Sequence, residues 1–328
     1  MKAVRVHHHG GPDVLTYEDV EVSQPGAGEV LVRNHAVGVN FVDTYMRSGA
    51  FPSELPFTLG KEGAGEVVAI GEGVTEFSIG DRVAYTETPG AYADMCVVSA
   101  HFLVHLPDSV SYQTAAGSML KGLTAQYLLR RTFRVNTGHT VLIQAAAGGV
   151  GLILSQWAKH LGALVIGTVG SEEKAKLALA NGCDHVINYN TEDFSARVKK
   201  ITGGEGCDVV YDGVGKATFP GSLDCLKPMG YFVSFGLASG PIDAFDIRIL
   251  AGKGSLYTTW PVLTQYLAKR EDVISMSNEL FDVIASGAVK VRIHDTLPLS
   301  QAKAAHELFE TRGVAGATIL VPDNSSYI

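Results

Sequence analysis

The stretch Val141-Leu-Ile-Gln-Ala-Ala-Ala-Gly-Gly-Val-Gly151 decides how the chain folds. The apolar run from Thr140 to Ile143 predicts a buried strand, and the residues from Leu152 to Leu161 have the apolar spacing of a helix. Glycines between a strand and a helix let the backbone approach a diphosphate, whose charge is met by the free N–H groups at the helix start. The same glycines could instead only permit close packing of helix against strand, and this stretch alone does not separate the two interpretations.

The composition is that of an ordinary globular protein with room for two domains. Its 328 residues exceed the length at which a single core stops growing, and 46% of them are hydrophobic. The net charge of −8, from 26 basic and 34 acidic side chains, argues against a general surface for nucleic acid or membranes. The start, Met1-Lys-Ala-Val-Arg-Val6, lacks the apolar core of a signal peptide, and no apolar run approaches the roughly 20 residues of a membrane span. We therefore expect a cytoplasmic protein without a membrane partner.

The four cysteines are widely separated in the sequence and form no Cys-x-x-Cys pair. This spacing excludes a clustered cysteine zinc site and gives no sign of a disulfide framework. We expect buried or partly buried free thiols at Cys96, Cys183, Cys207 and Cys225.

The hydrophobic pattern changes after Pro107. Before it, short alternating segments such as Val30 to Val37, broken by turn signals, predict a mostly antiparallel, barrel-like β domain. Two helices, Tyr112 to Leu120 and Gly122 to Arg131, then lead towards the glycine turn. From Thr140 onward apolar strands alternate with helices, which indicates a doubly wound parallel sheet covered on both faces.

The last segments of the chain do not fit this parallel sheet. The helix from Ser300 to Glu310 and the final strand, Ala317 to Val321, are expected to return to the first domain. The sequence therefore predicts an inserted nucleotide domain over 125–261, between two pieces of a catalytic domain, 1–124 and 262–328.

The end of the second strand of the parallel sheet indicates which dinucleotide binds. An acidic residue there accepts from the ribose 2′-hydroxyl of NAD, whereas small and basic residues accommodate the 2′-phosphate of NADP. Glu172 could reach the ribose, in which case NADH would be preferred. We favour NADPH because small, basic and aromatic side chains surround the turn, namely Gly170, Ser171, Lys174 and Tyr189. The pyrophosphate is expected on Ala147, Gly148, Gly149, Val150 and Gly151.

Short motifs distributed along nearly the whole chain point to one protein family. They include Ala145-Ala-Ala-Gly-Gly-Val-Gly151, Gly167-Thr-Val-Gly170, Val186-Ile-Asn-Tyr189, Gly38-Val-Asn-Phe-Val-Asp-Thr-Tyr45, Lys121-Gly-Leu-Thr-Ala125 and Val233-Ser-Phe-Gly236. Together they resemble the zinc-independent quinone oxidoreductases of the medium-chain dehydrogenase/reductase superfamily. The resemblance implies an α/β fold, with a GroES-like β-barrel catalytic domain and a doubly wound Rossmann domain. It also implies a homodimer joined through the edge strands of the Rossmann sheets, and NADPH-dependent reduction of quinones.

The resemblance lets the zinc question be asked residue by residue. Zinc-dependent relatives begin the catalytic site with a Cys where this chain has Asn40, and supply a His where it has Lys61, within Gly60-Lys61-Glu62. A protonated lysine cannot bind zinc as imidazole does, so we expect no metal. Hydride transfer then depends on how the protein positions the nicotinamide and on its electrostatics.

Three residues match the family's active-site loop and are the catalytic candidates. Tyr45 could cover the ring of a quinone or donate to its oxygen. Asn40 and Asp43 could act on the substrate or only fix the loop through hydrogen bonds to backbone, and Tyr45 could only pack.

The resemblance adds further contacts to the cofactor. It implies that Lys121 and Thr124 lie near its phosphate and nicotinamide ends, and that Arg312 is a second partner for the 2′-phosphate. The nicotinamide ring would be lined by Phe235, Gly236 and Leu237. Each charged residue could instead be a solvated surface charge.

Two other functions remain open at this stage. An alkenal or enoyl reductase would saturate a conjugated C=C bond with the same fold and cofactor. A nucleotide- or RNA-binding protein with little turnover belongs to another class, and the acidic balance and missing aromatic–basic groove disfavour it.

Overall fold

The computed structural model describes residues 1–311 and 313–323, and contacts within the chain divide them into two units. Unit 1 comprises Met1–Leu123, Leu267–Ala285 and the described residues from 291 onward. Unit 2 comprises Thr124–Tyr266 and Ser286–Lys290. The sequence assigns all of 262–328 to the catalytic domain, whereas the contacts place 262–266 and 286–290 in unit 2.

The first part of unit 1 is built from short strands and three helices. The strands are β1 (Lys2–Val6), β2 (Leu15–Asp19), β3 (Glu29–Val39), β4 (Phe57–Thr58), β5 (Glu62–Ile70), β6 (Arg82–Thr86), β7 (Met95–Ser99) and β8 (Leu103–His105). The helices are α1 (Phe41–Ser48), α2 (Tyr112–Ala116) and α3 (Met119–Tyr127). Helix α3 begins in unit 1 and continues into unit 2, where a π-helical turn, Leu128–Thr132, follows it.

Unit 2 alternates strands and helices. Its strands are β9 (Thr140–Ile143), β10 (Leu164–Val169), β11 (His185–Asn188), β12 (Cys207–Asp212), β13 (Leu226–Ser234) and β14 (Tyr257–Thr259). Its helices are α4 (Gly149–His160), α5 (Glu172–Ala180), α6 (Phe194–Ile201), α7 (Phe219–Asp224), α8 (Ile249–Gly252) and α9 (Leu263–Tyr266). The chain then continues through α10 (Arg270–Ala285), β15 (Ile293–Pro298), α11 (Ala302–Glu310) and β16 (Ala317–Val321).

Unit 1 is organised around the long strand β3. One sheet has the order β15-β16-β3-β5-β6-β8, with β7 also paired to β3, and a second sheet has the order β2-β1-β4. All these pairs are antiparallel except β15 with β16. In β16, Ile319 lies opposite Gly38 of β3, so the end of the chain completes the sheet that the amino-terminal strands begin.

The helix break before the glycine turn differs from the prediction, which placed it at Lys121. Helix α2 ends at Ala116 and α3 begins at Met119, and between them the Ser118 hydroxyl donates to the Thr114 carbonyl at 2.7 Å. A side chain at Gly117 would bring its Cβ within 2.6 Å of Ile293, so β15 packs directly on this break. Lys121 therefore lies inside α3, not at a helix end.

Unit 2 contains the predicted doubly wound sheet. Its six parallel strands have the order β11-β10-β9-β12-β13-β14, and the order reverses between β9 and β12. Such sheets bind ligands at the carboxyl ends of the strands, beside the reversal. The strand β14 lies at one edge of this sheet and pairs only with β13 among the described residues.

The cysteines are free and buried, as the spacing predicts. Burial raises the pKa of the Cys183 thiol to about 11 and that of Cys96 to about 12, so these thiols stay protonated at neutral pH. Among residues 1–311 and 313–323, no helix has the length and apolar character that crossing a bilayer requires.

Candidate active site

The glycine turn places the start of α4 directly beyond β9. A Cβ atom on Gly151 would lie 2.4 Å from the Ala145 carbonyl oxygen, so only glycine allows the helix to approach the turn this closely. Ala145 itself has a φ of 55°, which reverses the chain within a few residues. The first N–H groups of α4 have no acceptor within the helix, so they can bind an anion at its amino terminus.

A buried polar network fixes the strand ends beneath this turn. The Thr168 hydroxyl at the end of β10 donates to Gln144 Oε1 at 2.5 Å, and Gln144 Nε2 donates to the Ser222 hydroxyl at 3.0 Å. Ser222 in turn donates to Asp212 Oδ2 at 2.9 Å. The other oxygen of Asp212 accepts the Val214 and Gly215 N–H groups at 2.8 and 3.0 Å. This network ties together the carboxyl ends of β9, β10 and β12.

The residues expected around the 2′-phosphate meet at the ends of β10 and β11. A Cβ atom on Gly170 would lie 2.5 Å from the Tyr189 hydroxyl, so the tyrosine lies directly over this glycine. The Ser171 hydroxyl accepts the Lys174 N–H at 3.2 Å and caps α5. The rival residue Glu172 accepts from the Asn188 side-chain amide at 3.0 Å. Arg312 lies outside the described residues.

The loop after β13 packs on the loop after β12. The Phe235 N–H donates to the Asp212 carbonyl at 2.9 Å, and a Cβ on Gly236 would lie 2.7 Å from the Gly213 carbonyl oxygen. Phe235, Gly236 and Leu237 are all half-buried. The five parallel strands β9 to β13 therefore bring the predicted cofactor residues of unit 2 to one edge of its sheet.

In unit 1, a buried ion pair holds Asn40. Lys121 Nζ donates to Glu62 Oε1 at 2.7 Å and to Asn40 Oδ1 at 2.8 Å, while Asn40 Nδ2 donates to the same Glu62 oxygen at 2.8 Å. The second oxygen of Glu62 accepts the Leu120 N–H at 2.6 Å. Lys121 is 3% exposed and Glu62 is fully buried. The pair therefore fixes the Asn40 amide in one orientation, with its oxygen on the lysine. Thr124, one turn further along α3 and the first residue of unit 2, is also buried.

Asp43 lies behind this amide, not on the surface. Its Oδ2 accepts the Asn40 N–H at 2.8 Å and the Tyr92 hydroxyl at 3.0 Å, and the residue has no exposed surface. Burial raises the pKa of Asp43 to about 7, although both hydrogen bonds and the Lys121 charge act to lower it and Glu62 adds to the rise.

Tyr45 belongs to a half-exposed aromatic cluster. Its ring centroid lies 5.2 Å from that of Phe51 and 6.4 Å from that of Phe41. Phe41 also contacts Phe309 at 4.9 Å. Phe41 and Phe51 are about two-fifths exposed, so α1 offers aromatic surface beside Asn40.

The positions that carry zinc ligands in related dehydrogenases make other contacts here. The Lys61 ammonium donates to Glu87 at 2.9 Å, and Asn40 is held by Glu62 and Lys121. Within residues 1–311 and 313–323, no three or more His, Cys, Asp or Glu side chains are grouped so as to hold a metal ion.

Several residues of the site carried no sequence signal of their own. Glu62 was visible only as part of Gly60-Lys61-Glu62. Arg47 is 2% exposed and points into unit 1, where its Nη1 lies 3.0 Å from His306 Nδ1. Tyr92 and His306 contact each other across 214 positions of sequence, and no local pattern indicates such a pair.

Comparison with known proteins places this geometry in a family. One matching family model, described as an alcohol dehydrogenase GroES-like domain, covers residues 26–108, and another, described as a zinc-binding dehydrogenase, covers residues 149–269. The quinone oxidoreductase of Pseudomonas aeruginosa is 49% identical over 98% of this chain and 99% of its own. The 2-haloacrylate reductase of a Burkholderia species is 45% identical, also over 98% of this chain and 99% of its own.

A solved structure extends the comparison to three dimensions. The crystal structure of Escherichia coli quinone oxidoreductase complexed with NADPH matches with a TM-score of 0.96 at 46% identity, over 98% of this chain and 100% of that chain. The chain therefore belongs to the quinone oxidoreductase family of the medium-chain dehydrogenase/reductase superfamily.

Proposed function

We propose that the protein is an NADPH-dependent quinone reductase that transfers hydride to small quinones without a metal. The observation that carries the proposal is the set of strand ends in unit 2, which gathers the glycine turn, Gly170 with Tyr189, and Phe235 at one edge. The 49% identity to the Pseudomonas aeruginosa quinone oxidoreductase, over nearly the full length, supports the substrate class. The net reaction adds one hydride and one proton to a quinone and yields the hydroquinone.

Unit 2 has the features that NADPH requires. The turn from Ala147 to Gly151 would hold the pyrophosphate, because the close approach at Gly151 leaves the first N–H groups of α4 open. The ring would lie against Phe235, Gly236 and Leu237. The 2′-phosphate would lie among Gly170, Ser171, Lys174 and Tyr189, with Arg312 as a further partner. When bound, the cofactor supplies the hydride.

The residues of unit 1 would orient the substrate and stabilise charge on its oxygen. Two N–H groups of the Lys121 ammonium are used by Glu62 and Asn40, which holds the cation at a fixed place. A fixed cation stabilises an oxygen that gains negative charge without any reorganisation at the moment of reaction. Tyr45 would stack on the planar ring of the quinone, as the neighbouring aromatic side chains favour.

Asp43 would act on this site through Asn40. Its carboxylate has no exposed surface and contacts the backbone N–H of Asn40, so it cannot touch a substrate in this arrangement. We therefore assign Asp43 a positioning role and keep Asn40 and Tyr45 as the residues that contact substrate.

A second candidate function is reduction of conjugated C=C bonds. The observation behind it is the 45% identity to a 2-haloacrylate reductase, which is lower than the 47–49% identity to three quinone oxidoreductases. The two functions differ in the atom that receives hydride, which is carbon in an enal. Turnover measured with a benzoquinone and with an enal of similar size distinguishes them.

The open edge of the unit 2 sheet supports a homodimer. Tyr257 on β14 is 52% exposed, and Trp260 and Val262 beyond it are nearly half exposed. An exposed edge strand with apolar side chains is a surface for pairing with another chain. We propose pairing of two copies through β14 and a cytoplasmic location. A sedimentation analysis that finds only monomers would contradict the proposed dimer.

The proposed activity is tested by following NADPH oxidation when a quinone is added. We expect turnover with NADPH and a higher Michaelis constant for NADH. The Tyr45→Phe variant tests the hydroxyl of Tyr45, and Tyr17→Phe on β2 is the control. Unchanged catalytic constants in Tyr45→Phe would show that the Tyr45 hydroxyl takes no part in the reaction and that the side chain only packs. Tight NADPH binding without any turnover would instead support the nucleotide- or RNA-binding alternative.

A further inference from the structure

A chain of buried polar side chains connects α11 to the active-site loop of unit 1. Arg47 Nη1 lies 3.0 Å from His306 Nδ1, and His306 Nε2 lies 3.3 Å from the Tyr92 hydroxyl. That hydroxyl lies 3.0 Å from Asp43 Oδ2. Arg47 also pairs with Glu310, whose side chain is partly exposed. All members except Glu310 are buried, so each must find its hydrogen-bond partners within the chain.

The donor and acceptor chemistry of these groups fixes the direction of every hydrogen bond in this series of side chains. A guanidinium can only donate, so Nδ1 of His306 must accept and its proton must lie on Nε2. The Nε2–H group then donates to the oxygen of Tyr92. Tyr92 must therefore direct its own proton to Asp43 Oδ2.

The same logic assigns different roles to the two oxygens of Asp43. Oδ2 accepts from Tyr92 and from the Asn40 N–H. Oδ1 is buried and has no hydrogen-bond partner among the described residues. A proton taken up by Asp43 therefore binds Oδ1, because Oδ2 already faces two donors.

We propose that Arg47 and His306 are positioning residues, which lock one imidazole tautomer and thereby fix how Tyr92 holds Asp43 and the Asn40 loop. The proposal rests on the proposed function, since Asn40 matters for catalysis only if it contacts the substrate.

The electrostatics of the surrounding groups agree with this geometry. Burial and the charge of Arg47 lower the pKa of His306 to about 3, so the imidazole stays neutral at physiological pH. Around Asp43, Glu62 acts to raise the pKa of the carboxyl, whereas Lys121, the Asn40 N–H and the Tyr92 hydroxyl act to lower it. Within this series, the carboxyl group of Asp43 has a pKa near neutrality, at about 7.

The tautomer is tested by nitrogen NMR of histidine-labelled protein without substrate. We expect His306 to remain the neutral Nε2–H tautomer from pH 5 to pH 9, and Arg47→Met to give a mixture of tautomers. A predominant Nδ1–H tautomer in the wild type, or a ring that titrates in this range, would overturn the proposal. This readout does not depend on turnover, so it fails or succeeds separately from the proposed function.

The catalytic consequence is tested by the pH profile of kcat/KM. His306→Gln keeps an acceptor for Arg47 and a donor for Tyr92, so we expect its profile to match the wild type. His306→Leu and Tyr92→Phe should move the apparent pKa near 7 upward by about one unit, since the charged form of Asp43 loses ordered donation. His105→Gln, on an exposed ring of β8, is the control and should leave the profile unchanged. Equal profiles in His306→Leu and His306→Gln would overturn the positioning role.

Discussion

The pH dependence of stability should reveal two buried groups whose contributions oppose each other. His306 has a pKa of about 3 in the folded chain against 6.5 for an ordinary histidine. Between these values only the unfolded chain binds the proton, so the stabilising contribution of His306 is present above pH 6.5 and is lost as the pH falls towards 3. At about 1.4 kcal/mol per pH unit, the full loss is on the order of 5 kcal/mol.

Asp43 acts in the opposite sense. Its pKa is about 7 in the folded chain against 3.8 for an ordinary aspartate, so between these values only the folded chain holds the proton. Its stabilising contribution is present below about pH 4 and is lost as the pH rises through 7, by roughly 4 kcal/mol. Between pH 4 and 6.5, the changes with pH that His306 and Asp43 cause in the free energy of unfolding nearly cancel in the wild type.

A single substitution at His306 or Asp43 should separate the pH dependence that each group gives to the free energy of unfolding. Relative to the wild type, we expect His306→Gln to gain about 1.4 kcal/mol of stability for each unit the pH falls below 6.5, and Asp43→Asn to lose a similar amount below pH 7. Urea unfolding at a series of pH values measures both differences. Because Trp157 and Trp260 both lie in unit 2, circular dichroism is the appropriate probe for unit 1. If the unfolding free energies of both variants differ from the wild type by the same amount at every pH, burial does not shift the pKa values of His306 and Asp43 as stated.

Three further substitutions test other parts of the site. Lys121→Met leaves the Glu62 carboxylate buried without its cation and should lower the free energy of unfolding by about 3–5 kcal/mol. The double variant with Glu62→Gln should lose about 2 kcal/mol less than the sum of the two single variants. Calorimetric losses that add strictly would contradict the pairing of Lys121 with Glu62. Lys174→Ala should reduce the preference for NADPH over NADH by roughly 10-fold, because one charge-assisted hydrogen bond is lost. Lys176→Ala, which removes an exposed lysine from the same helix, should leave this preference unchanged. Gly151→Ala forces α4 away from Ala145 and should raise the dissociation constant of NADPH about 10-fold or more in a fluorescence titration; Gly252→Ala, where a Cβ meets nothing within 4 Å, is the control.

The fold could be predicted from the sequence because the hydrophobic patterns that indicate each type of sheet lie within short segments. Apolar strands such as β9 and β12 contrast with the alternating segments before Pro107, and each pattern reports its own sheet type within a few residues. The helix break at Gly117 was missed because it depends on packing against Ile293, which lies far away in the sequence.

The two halves of the site differ in how far the sequence could predict them. The unit 2 residues, such as Gly170 and Ser171, follow directly after strands, and parallel strands bring their carboxyl ends to one edge without further information. The unit 1 site instead depends on partners from distant segments, such as Glu62 with Lys121 and Tyr92 with His306. No spacing rule indicates that Asp43 is buried or that Arg47 points inward.

The most direct test of the account is the steady-state rate of NADPH oxidation with a benzoquinone, measured beside the same assay with an enal and with NADH. We predict that the quinone is reduced to hydroquinone with NADPH as the preferred donor, and that kcat/KM for the enal is lower. Saturable NADPH binding with reduction of the enal but not of the quinone would contradict the assignment as a quinone reductase.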